Sequence, residues 1–196
     1  MLFRSNTVEF YRSADGDTWT QPATTPATQP ASCFATWQQG TTVNLVLGVD
    51  STIKVSTDSG VTWSAAINVG NAATNVTGLG TAFGLLMIGK EDGLFAYDGT
   101  NVIDLLPKHN VKNANNFKAL VYHEGFLYTH YLGVVLKLSY SSGTITNVVE
   151  ITPTMTGDDN KDRFGHGTIV WMWSGVNHLY AAFDDEIGRA SCRERV

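Results

Sequence analysis

The chain has 196 residues, of which 43% are hydrophobic and 16% are charged, and its formal net charge is −5. This hydrophobic content is enough for a folded core and excludes an intrinsically disordered chain. The acidic balance and the lack of a basic stripe argue against nucleic acid and against anionic membranes as partners. The longest apolar run, Leu85 to Ile88, is far too short to span a membrane.

Short apolar runs bounded by Gly, Asn and Asp follow one another along the chain, and no window sustains a helical period. Such runs are typical of strands joined by polar turns. They predict strands at residues 33–37, 43–48, 52–56, 64–69, 77–83, 85–89, 117–123, 125–128, 145–151, 168–173 and 177–181. We therefore predict an all-β chain.

Residues 56–63, with the sequence STDSGVTW, predict a tight corner between two strands. They fit the pattern Ser-x-Asp-x-Gly-x-Thr-Trp, with Ser56, Asp58, Gly60, Thr62 and Trp63 at the specified positions. Asp58 is placed to accept a hydrogen bond from the backbone two residues on. Gly60 supplies a backbone angle that other residues resist, and the indole of Trp63 can fill the gap to a neighbouring sheet.

The same corner recurs along the chain at spacings of 43, 40 and 43 residues, and we call the four corners box turns. The residues that keep the pattern in the other copies are Ser13, Asp15, Gly16 and Trp19 in the first, Asp98 and Gly99 in the third, and Ser139 and Gly143 in the fourth. Apolar runs precede each copy in the same order. Each unit of 40–43 residues thus holds four short strands, which is the strand count of a propeller blade.

The pattern resembles the Asp-box of the bacterial neuraminidase repeat, which occurs in sialidases, sortilin-like receptors, photosystem assembly factors and phage tail proteins. In those families the box is a structural turn on a β-propeller blade and is not a catalytic motif. The resemblance implies an incomplete β-propeller of four-stranded antiparallel blades, with about four to five blades present. It also implies that the box residues have a structural role.

Blade boundaries are expected near residues 1–30, 31–70, 71–112, 113–153 and 154–186. The last ten residues, 187–196, carry three of the six Arg, and their back-translation matches the start of a sequencing adapter read in frame. We interpret them as non-native, with a genuine basic tail as the alternative. Without their three Arg and one Glu the net charge becomes −7. The native gene is expected to differ from codon 187 onward and to continue into a further blade.

The sequence contains no catalytic constellation. A sialidase requires three Arg around a carboxylate, but only three Arg precede residue 187, and Arg12 adjoins a box turn. His123 and Glu124 begin the zinc-protease pattern HExxH, but Leu127 occupies the position of the second His. We predict no catalytic residue, no metal ligand and no cofactor.

One polar insertion offers a candidate loop site. Asp158, Asn160 and Asp162 alternate as ligands do in a calcium loop. Arg163 stands where that loop requires Gly, and Ile169 stands in place of the bidentate Glu. A solvated insertion is the favoured interpretation, and a functional loop is the alternative, because insertions in repeat proteins often map to one face.

The sequence favours a non-catalytic interaction or structural propeller that binds a glycan or a protein, in an extracellular or virion setting. A sialidase-like glycoside hydrolase with catalytic residues in missing blades is the alternative, and a cluster of Arg and carboxylates at the axis would distinguish it. Trp171 and Trp173 are expected to pack between blades, with stacking on a sugar as the alternative. Unpaired strand edges predict that the chain self-associates.

Overall fold

The computed structural model describes residues 10–13, 15–21, 27, 29–106, 112–132, 134–151, 169–176 and 178–183. Within these residues the chain forms fourteen β-strands and no helix. The strands build three four-stranded sheets and one two-stranded sheet, in which all pairings are antiparallel. The prediction of an all-β fold is confirmed.

The sheets follow the chain in order. The first contains β1 (Cys33–Gln39), β2 (Thr42–Val49), β3 (Thr52–Ser56) and β4 (Ile67–Asn68). The second contains β5 (Val76–Ala82), β6 (Leu85–Lys90), β7 (Gly93–Tyr97) and β8 (Val102–Leu106). The third contains β9 (Val121–His123), β10 (Phe126–Tyr131), β11 (Val134–Ser141) and β12 (Thr144–Ile151). The two-stranded sheet contains β13 (Ile169–Ser174) and β14 (Leu179–Phe183).

The sheets are arranged as blades around an axis. Each four-stranded sheet is a meander in which the strands pair in chain order. The first strands of successive sheets lie side by side, with β1 against β5, β5 against β9 and β9 against β13. The first strand of each blade is therefore the innermost and the fourth is the outermost. Three complete blades and two strands of another lie within the described residues, and the predicted incomplete propeller of four-stranded antiparallel blades is confirmed.

Apolar side chains between the sheet faces hold the blades together. Trp37 and Ile53 of the first blade pack in one cluster with Ile88 and Phe95 of the second. Similar clusters join the second blade to the third and the third to β13 and β14. Because the second blade is covered on both faces, β6 and β7 are buried at nearly every residue, which explains their continuous apolar sequences.

Glycines bring the backbones of the second and third blades into contact. A Cβ atom at Gly89 would overlap the carbonyl oxygen of Phe117, and one at Gly78 would overlap the carbonyl oxygen of Lys118. No side chain fits between the strands at these points, so both positions require glycine.

Two strands are shorter than predicted. The run at 64–69 forms a strand only at Ile67–Asn68, because Ser64 bonds to Val55 and the chain then leaves the ladder for two residues. The run at 117–123 forms a strand only at Val121–His123. Phe117 has a left-handed backbone, with φ of 53°, at the end of a turn, and its N–H donates to the His130 carbonyl oxygen at 2.8 Å before the regular ladder begins at Val121.

Candidate functional site

The turn between β3 and β4 is fixed by the side chains of Ser56 and Asp58. The Ser56 hydroxyl donates to Asp58 Oδ1 at 2.8 Å and accepts from the Gly60 N–H at 2.9 Å. The Asp58 carboxylate accepts from the Thr62 N–H at 2.9 Å and from the Thr62 hydroxyl at 2.5 Å. The main donor to Asp58 therefore lies four residues on and not two. Ser59 and Gly60, with φ of 59° and 82°, curl the chain so that Thr62 faces the carboxylate.

Hydrogen bonds keep the box carboxylates ionised. The hydroxyl and then the N–H of Thr62, followed by the Ser56 hydroxyl, lower the pKa of Asp58 to about 2. The Thr18 N–H is the main cause that lowers the pKa of Asp15 to about 2. A carboxylate stabilised in this way cannot serve as a proton donor near neutral pH.

The first box turn has the same local geometry. An antiparallel bridge between Arg12 and Thr20 closes it. The Ser13 hydroxyl donates to Asp15 Oδ1 at 2.9 Å and accepts from the Gly16 N–H at 2.7 Å. These two bonds repeat the arrangement of Ser56, Asp58 and Gly60 with one residue fewer.

The two box tryptophans differ in their surroundings. Trp63 packs against a cluster that contains Phe10, from the N-terminal segment, and Leu47, from β2. Trp63 thus lies between the first blade and the unit before it, and its buried Nε1 has no hydrogen-bond partner. Trp19 is 39% exposed, so within the described residues it does not fill a gap between sheets.

The third box turn keeps its acceptor and gains a contact between blades. Asp98 Oδ1 accepts from the Asn101 N–H at 2.6 Å and from the Thr100 N–H at 2.7 Å, and these bonds lower the pKa of Asp98. Gly99 follows with φ of 104°. The Asp98 carbonyl oxygen accepts from Gln39 Nε2 at 3.2 Å, which links the second blade to the first.

The fourth box turn is reduced to a two-residue hairpin. Ser142 and Gly143 both have left-handed backbones, with φ of 51° and 87°, as in a type I′ turn. Ser139 lies in β11 and pairs with Asn147, so the structure places it in the strand and not in the corner. The corner is shorter than predicted because two residues suffice to reverse the chain.

The box turns at 56–63, 98–101 and 142–143 connect the third strand of each blade to the fourth. They share one end of the blades with the turns from the first strand to the second, because strand direction alternates in a meander. Those turns lie at residues 40–41, 83–84 and 124–125. We call this end of the blades the box end.

Four exposed side chains lie on the innermost strands at the box end. Each occupies the last or the next-to-last position of its strand, and each is uncharged and able to form hydrogen bonds. We call them the axial rim: Gln38, Thr81, Tyr122 and Ser174. They follow one another at spacings of 43, 41 and 52 residues, so an alignment of the first strands of the units would have identified them.

Three aromatic rings meet beside the rim, between the second and third blades. Phe83 stacks on Tyr140 with centroids 4.9 Å apart, and it meets Tyr122 edge-on at 5.2 Å. Tyr122 is 44% exposed. Phe83 has φ of 54°, a left-handed conformation that bulky residues rarely adopt. A strained turn thus supports an aromatic cluster at the surface.

At the next boundary His123 joins the third blade to β13. His123 Nδ1 lies 2.8 Å from Ser174 Oγ, and the ring is buried whereas Ser174 is exposed. Glu124 and Gly125 form a left-handed turn directly after His123. His123 thus ends a strand and Glu124 lies in a hairpin turn, whereas the zinc-protease motif HExxH holds its two His on one face of a helix. The structure therefore gives His123 and Glu124 no such geometry.

The tryptophans of β13 face away from the third blade. Met172, between them, is buried in the cluster that contains Ala119 and Tyr128. Trp173 stacks on Tyr180 at 5.0 Å. Trp171 is 65% exposed, so the expectation that it packs between blades is wrong within the described residues, where no blade covers this face.

The opposite end of the blades carries a buried polar layer that the sequence motifs did not reveal. Thr74 Oγ1 donates to Asp92 Oδ1 at 2.9 Å, and both residues are buried. Asn116 Nδ2 donates to the Glu91 carbonyl oxygen at 2.9 Å. Thr74 and Asn116, together with the exposed Ser32, recur every 42 residues ahead of the inner strands, a period that would have revealed them.

His130, on β10, is the most perturbed base among the described residues. It is 1% exposed, and neither ring nitrogen has a hydrogen-bond partner. Burial lowers the pKa of His130 to about 4, and the nearby charge of Lys118 acts in the same direction. The Asn115 carbonyl opposes this shift, but it forms no hydrogen bond of good geometry with the ring, so burial prevails.

The candidate loop site of Asp158, Asn160 and Asp162 lies outside the described residues, as do residues 187–196. Within the described part of the chain, no three His, Cys, Asp or Glu side chains come together as metal ligands would. No helix in that part is long and apolar enough to cross a membrane.

No protein-family model and no curated protein matches the chain. The fold is similar to the WD40 domain of Neurospora crassa Pan2, with a TM-score of 0.58 and 9% identity over 85% of this chain. A weaker likeness, with a TM-score of 0.40 and 11% identity, relates it to Myxococcus xanthus glutaminyl cyclase and covers 88% of this chain and 80% of that one. The chain spans half the length of the Pan2 domain. The likeness to the Pan2 domain supports the propeller fold alone, and the resemblance to Asp-box families stays a prediction.

Proposed function

We propose that the chain is a non-catalytic interaction propeller that binds a partner at the axial rim. The observation that carries the proposal is the equivalence of Gln38, Thr81, Tyr122 and Ser174 on adjacent inner strands. Side chains between the blades are mostly apolar, whereas these four are polar, exposed and different from one another. Such variation at one repeated surface position is typical of recognition by repeat proteins.

The chemistry of the box end supports binding over catalysis. Asp58 and Asp98 are engaged by their own turns, and both have a lowered pKa. The described residues contain a single arginine, Arg12, so no arginine cluster faces the axis there. The low charge and the many Thr, Asn and Gly residues favour a phage virion or bacterial secreted protein.

Arrays of glycans and of peptides, probed with the full chain, test the proposal. We expect a ligand that is retained by the wild type and lost by the double variant Gln38→Ala, Thr81→Ala at an unchanged melting temperature. Lys112→Ala, an exposed substitution at the opposite end, is the control and leaves binding intact. The proposal would be contradicted if the double variant bound every ligand as tightly as the wild type does. It would also be contradicted if the chain hydrolysed a fluorogenic sialoside faster than a heat-inactivated sample.

A further inference from the structure

We infer that the ligand of the axial rim is a neutral glycan, one ring of which stacks on Tyr122. This inference rests on the proposed function of the rim and names its ligand class. Three features carry it: the charges of the box end, the exposed ring of Tyr122, and the strain in the turn at Phe83.

The charges of the box end disfavour an anionic ligand. Asp58, Asp98 and Glu124 place negative charge in the turns of the three complete blades. The described residues of these turns include no Lys or Arg. A sialoside, a uronate or a phosphate at the rim would meet repulsion without a compensating cation. The glycan is therefore neutral.

The side chains of the rim match the two kinds of surface on a sugar. A pyranose ring has a face of C–H groups, which an aromatic ring can cover, and an edge of hydroxyl groups that donate and accept hydrogen bonds. Tyr122 supplies the aromatic ring. Thr81 and Ser174 lie exposed on the inner strands to either side, and Gln38 adds an exposed amide one strand further on. The Thr81 hydroxyl donates to the Thr36 carbonyl oxygen at 2.9 Å and Ser174 Oγ lies 2.8 Å from His123 Nδ1, so both hydroxyl oxygens keep a lone pair that can accept from a sugar hydroxyl.

The strained backbone at Phe83 supports the assignment of Tyr122 as the stacking residue. The turn at residues 83–84 has left-handed backbone at both positions, which Asn-Gly adopts with least cost. Phe83 occupies the first of these positions although Asn would fit it at lower cost. Its ring centroid lies 5.2 Å from that of Tyr122 and 4.9 Å from that of Tyr140. Phe83 thereby meets Tyr122 edge-on, and Tyr122 stays 44% exposed. Phe83 is a positioning residue for the sugar platform.

Titration calorimetry with the full chain tests this assignment. The neutral probes are cellohexaose, xylohexaose, mannohexaose, laminarihexaose and chitohexaose, and the contrasting probes are sialyllactose, a heparin hexasaccharide, a proline-rich decapeptide and oligolysine. We expect at least one neutral hexasaccharide to bind and no acidic one. Tyr122→Ala should weaken binding about tenfold or more, whereas Tyr122→Phe keeps the ring and stays within about threefold.

Phe83→Asn separates positioning from folding, because Asn tolerates the left-handed backbone. We expect weaker binding in this variant with little change in melting temperature, a combination that a purely structural role would not give. Rim-dependent binding of a peptide or an acidic glycan, with no neutral glycan bound, would overturn the glycan assignment and leave the proposed function standing. Equal losses in Tyr122→Phe and Tyr122→Ala would overturn the stacking. Absence of rim-dependent binding to every probe would overturn both proposals.

Discussion

The indole Nε1 of Trp37 donates a hydrogen bond of 3.2 Å to the carbonyl oxygen of Gly84, across the boundary between the first and second blades. Trp37 is 1% exposed, and its ring lies 5.7 Å from that of Tyr97. Gly84 follows Phe83 in the strained turn. A buried contact between blades therefore holds the turn that supports the surface aromatic cluster.

Truncation of Trp37 should destabilise the fold strongly. We expect Trp37→Ala to lower the free energy of unfolding by about 3–5 kcal/mol, as for other buried aromatic residues. Trp19→Ala is the matched control, and it should stay within about 0.5 kcal/mol because Trp19 is 39% exposed. Urea denaturation measures both, and equal losses would show that the blade boundary does not depend on Trp37.

Removal of the Asp58 carboxylate should loosen the box turn. Asp58→Ala leaves the Thr62 N–H and hydroxyl without their acceptor, so the unfolding midpoint should fall. Thr57→Ala, at the exposed neighbouring position, is the control and should leave the midpoint unchanged. A well-folded Asp58→Ala variant that lost rim binding outright would show that the box has more than a structural role.

Acid should destabilise the fold between about pH 6.5 and pH 4 because of His130. The pKa of His130 is about 4 in the folded chain and about 6.5 in the unfolded chain. Between these values the unfolded chain binds more protons than the folded chain. The free energy of unfolding therefore decreases by a total of about 3 kcal/mol as the pH is lowered. Denaturation curves at several pH values measure this slope, which should flatten in His130→Leu.

The box carboxylates should respond in a separate, more acidic window. The pKa of Asp58 and of Asp15 is about 2 in the folded chain, below that of an ordinary Asp. Their stabilising effect is thus present above about pH 4 and disappears toward pH 2. If the loss of stability between pH 6.5 and pH 4 persisted in His130→Leu, groups other than His130 would be its cause.

Strain at Phe83 should be visible in a pair of substitutions. Phe83→Ala and Phe83→Asn both lose the stacking on Tyr140, but only Asn accepts the left-handed backbone readily. We expect Phe83→Asn to be more stable than Phe83→Ala by about 1 kcal/mol in thermal unfolding. Equal melting temperatures would indicate that the turn relaxes and stores no strain.

Self-association should depend on the exposed face of β13. Trp171 is 65% exposed on the side opposite Met172, so burial of its indole favours contact with another molecule. Sedimentation velocity should show a coefficient that rises with concentration and a smaller rise for Trp171→Gln. Tyr122→Ala, which leaves this face intact, should behave as the wild type. A concentration-independent coefficient for the wild type would contradict the prediction.

The fold could be predicted because its signals are local and repeated. The spacing from Asp58 to Asp98 and the apolar run at Leu85 each reflect one blade, and β2 and β6 extend only one residue beyond their predicted ends. The left-handed turn at Phe83 could not be predicted, because Phe has no preference for that conformation. Contacts between rings from different blades hold it there.

The axial rim could not be predicted from the sequence for a related reason. Gln38, Thr81 and Tyr122 look like unrelated polar residues until the inner strands are aligned, and their exposure depends on which strand is innermost. The direction of the hydrogen bonds to Asp58 depends on the backbone angles of Ser59, which no residue pattern specifies.

The close approach of the Gly89 and Phe117 backbones makes the boundary between the second and third blades a poor place for a recombination breakpoint. At the first boundary, a Cβ atom at Gly48 or Gly70 would meet the side chain of Val76 or Phe95, and side chains can change in size as sequences diverge. At the second boundary a single added methyl group has no room. We therefore expect a chimera that lengthens or shortens this propeller to be more stable when it is joined ahead of β5 than when it is joined between the second and third blades.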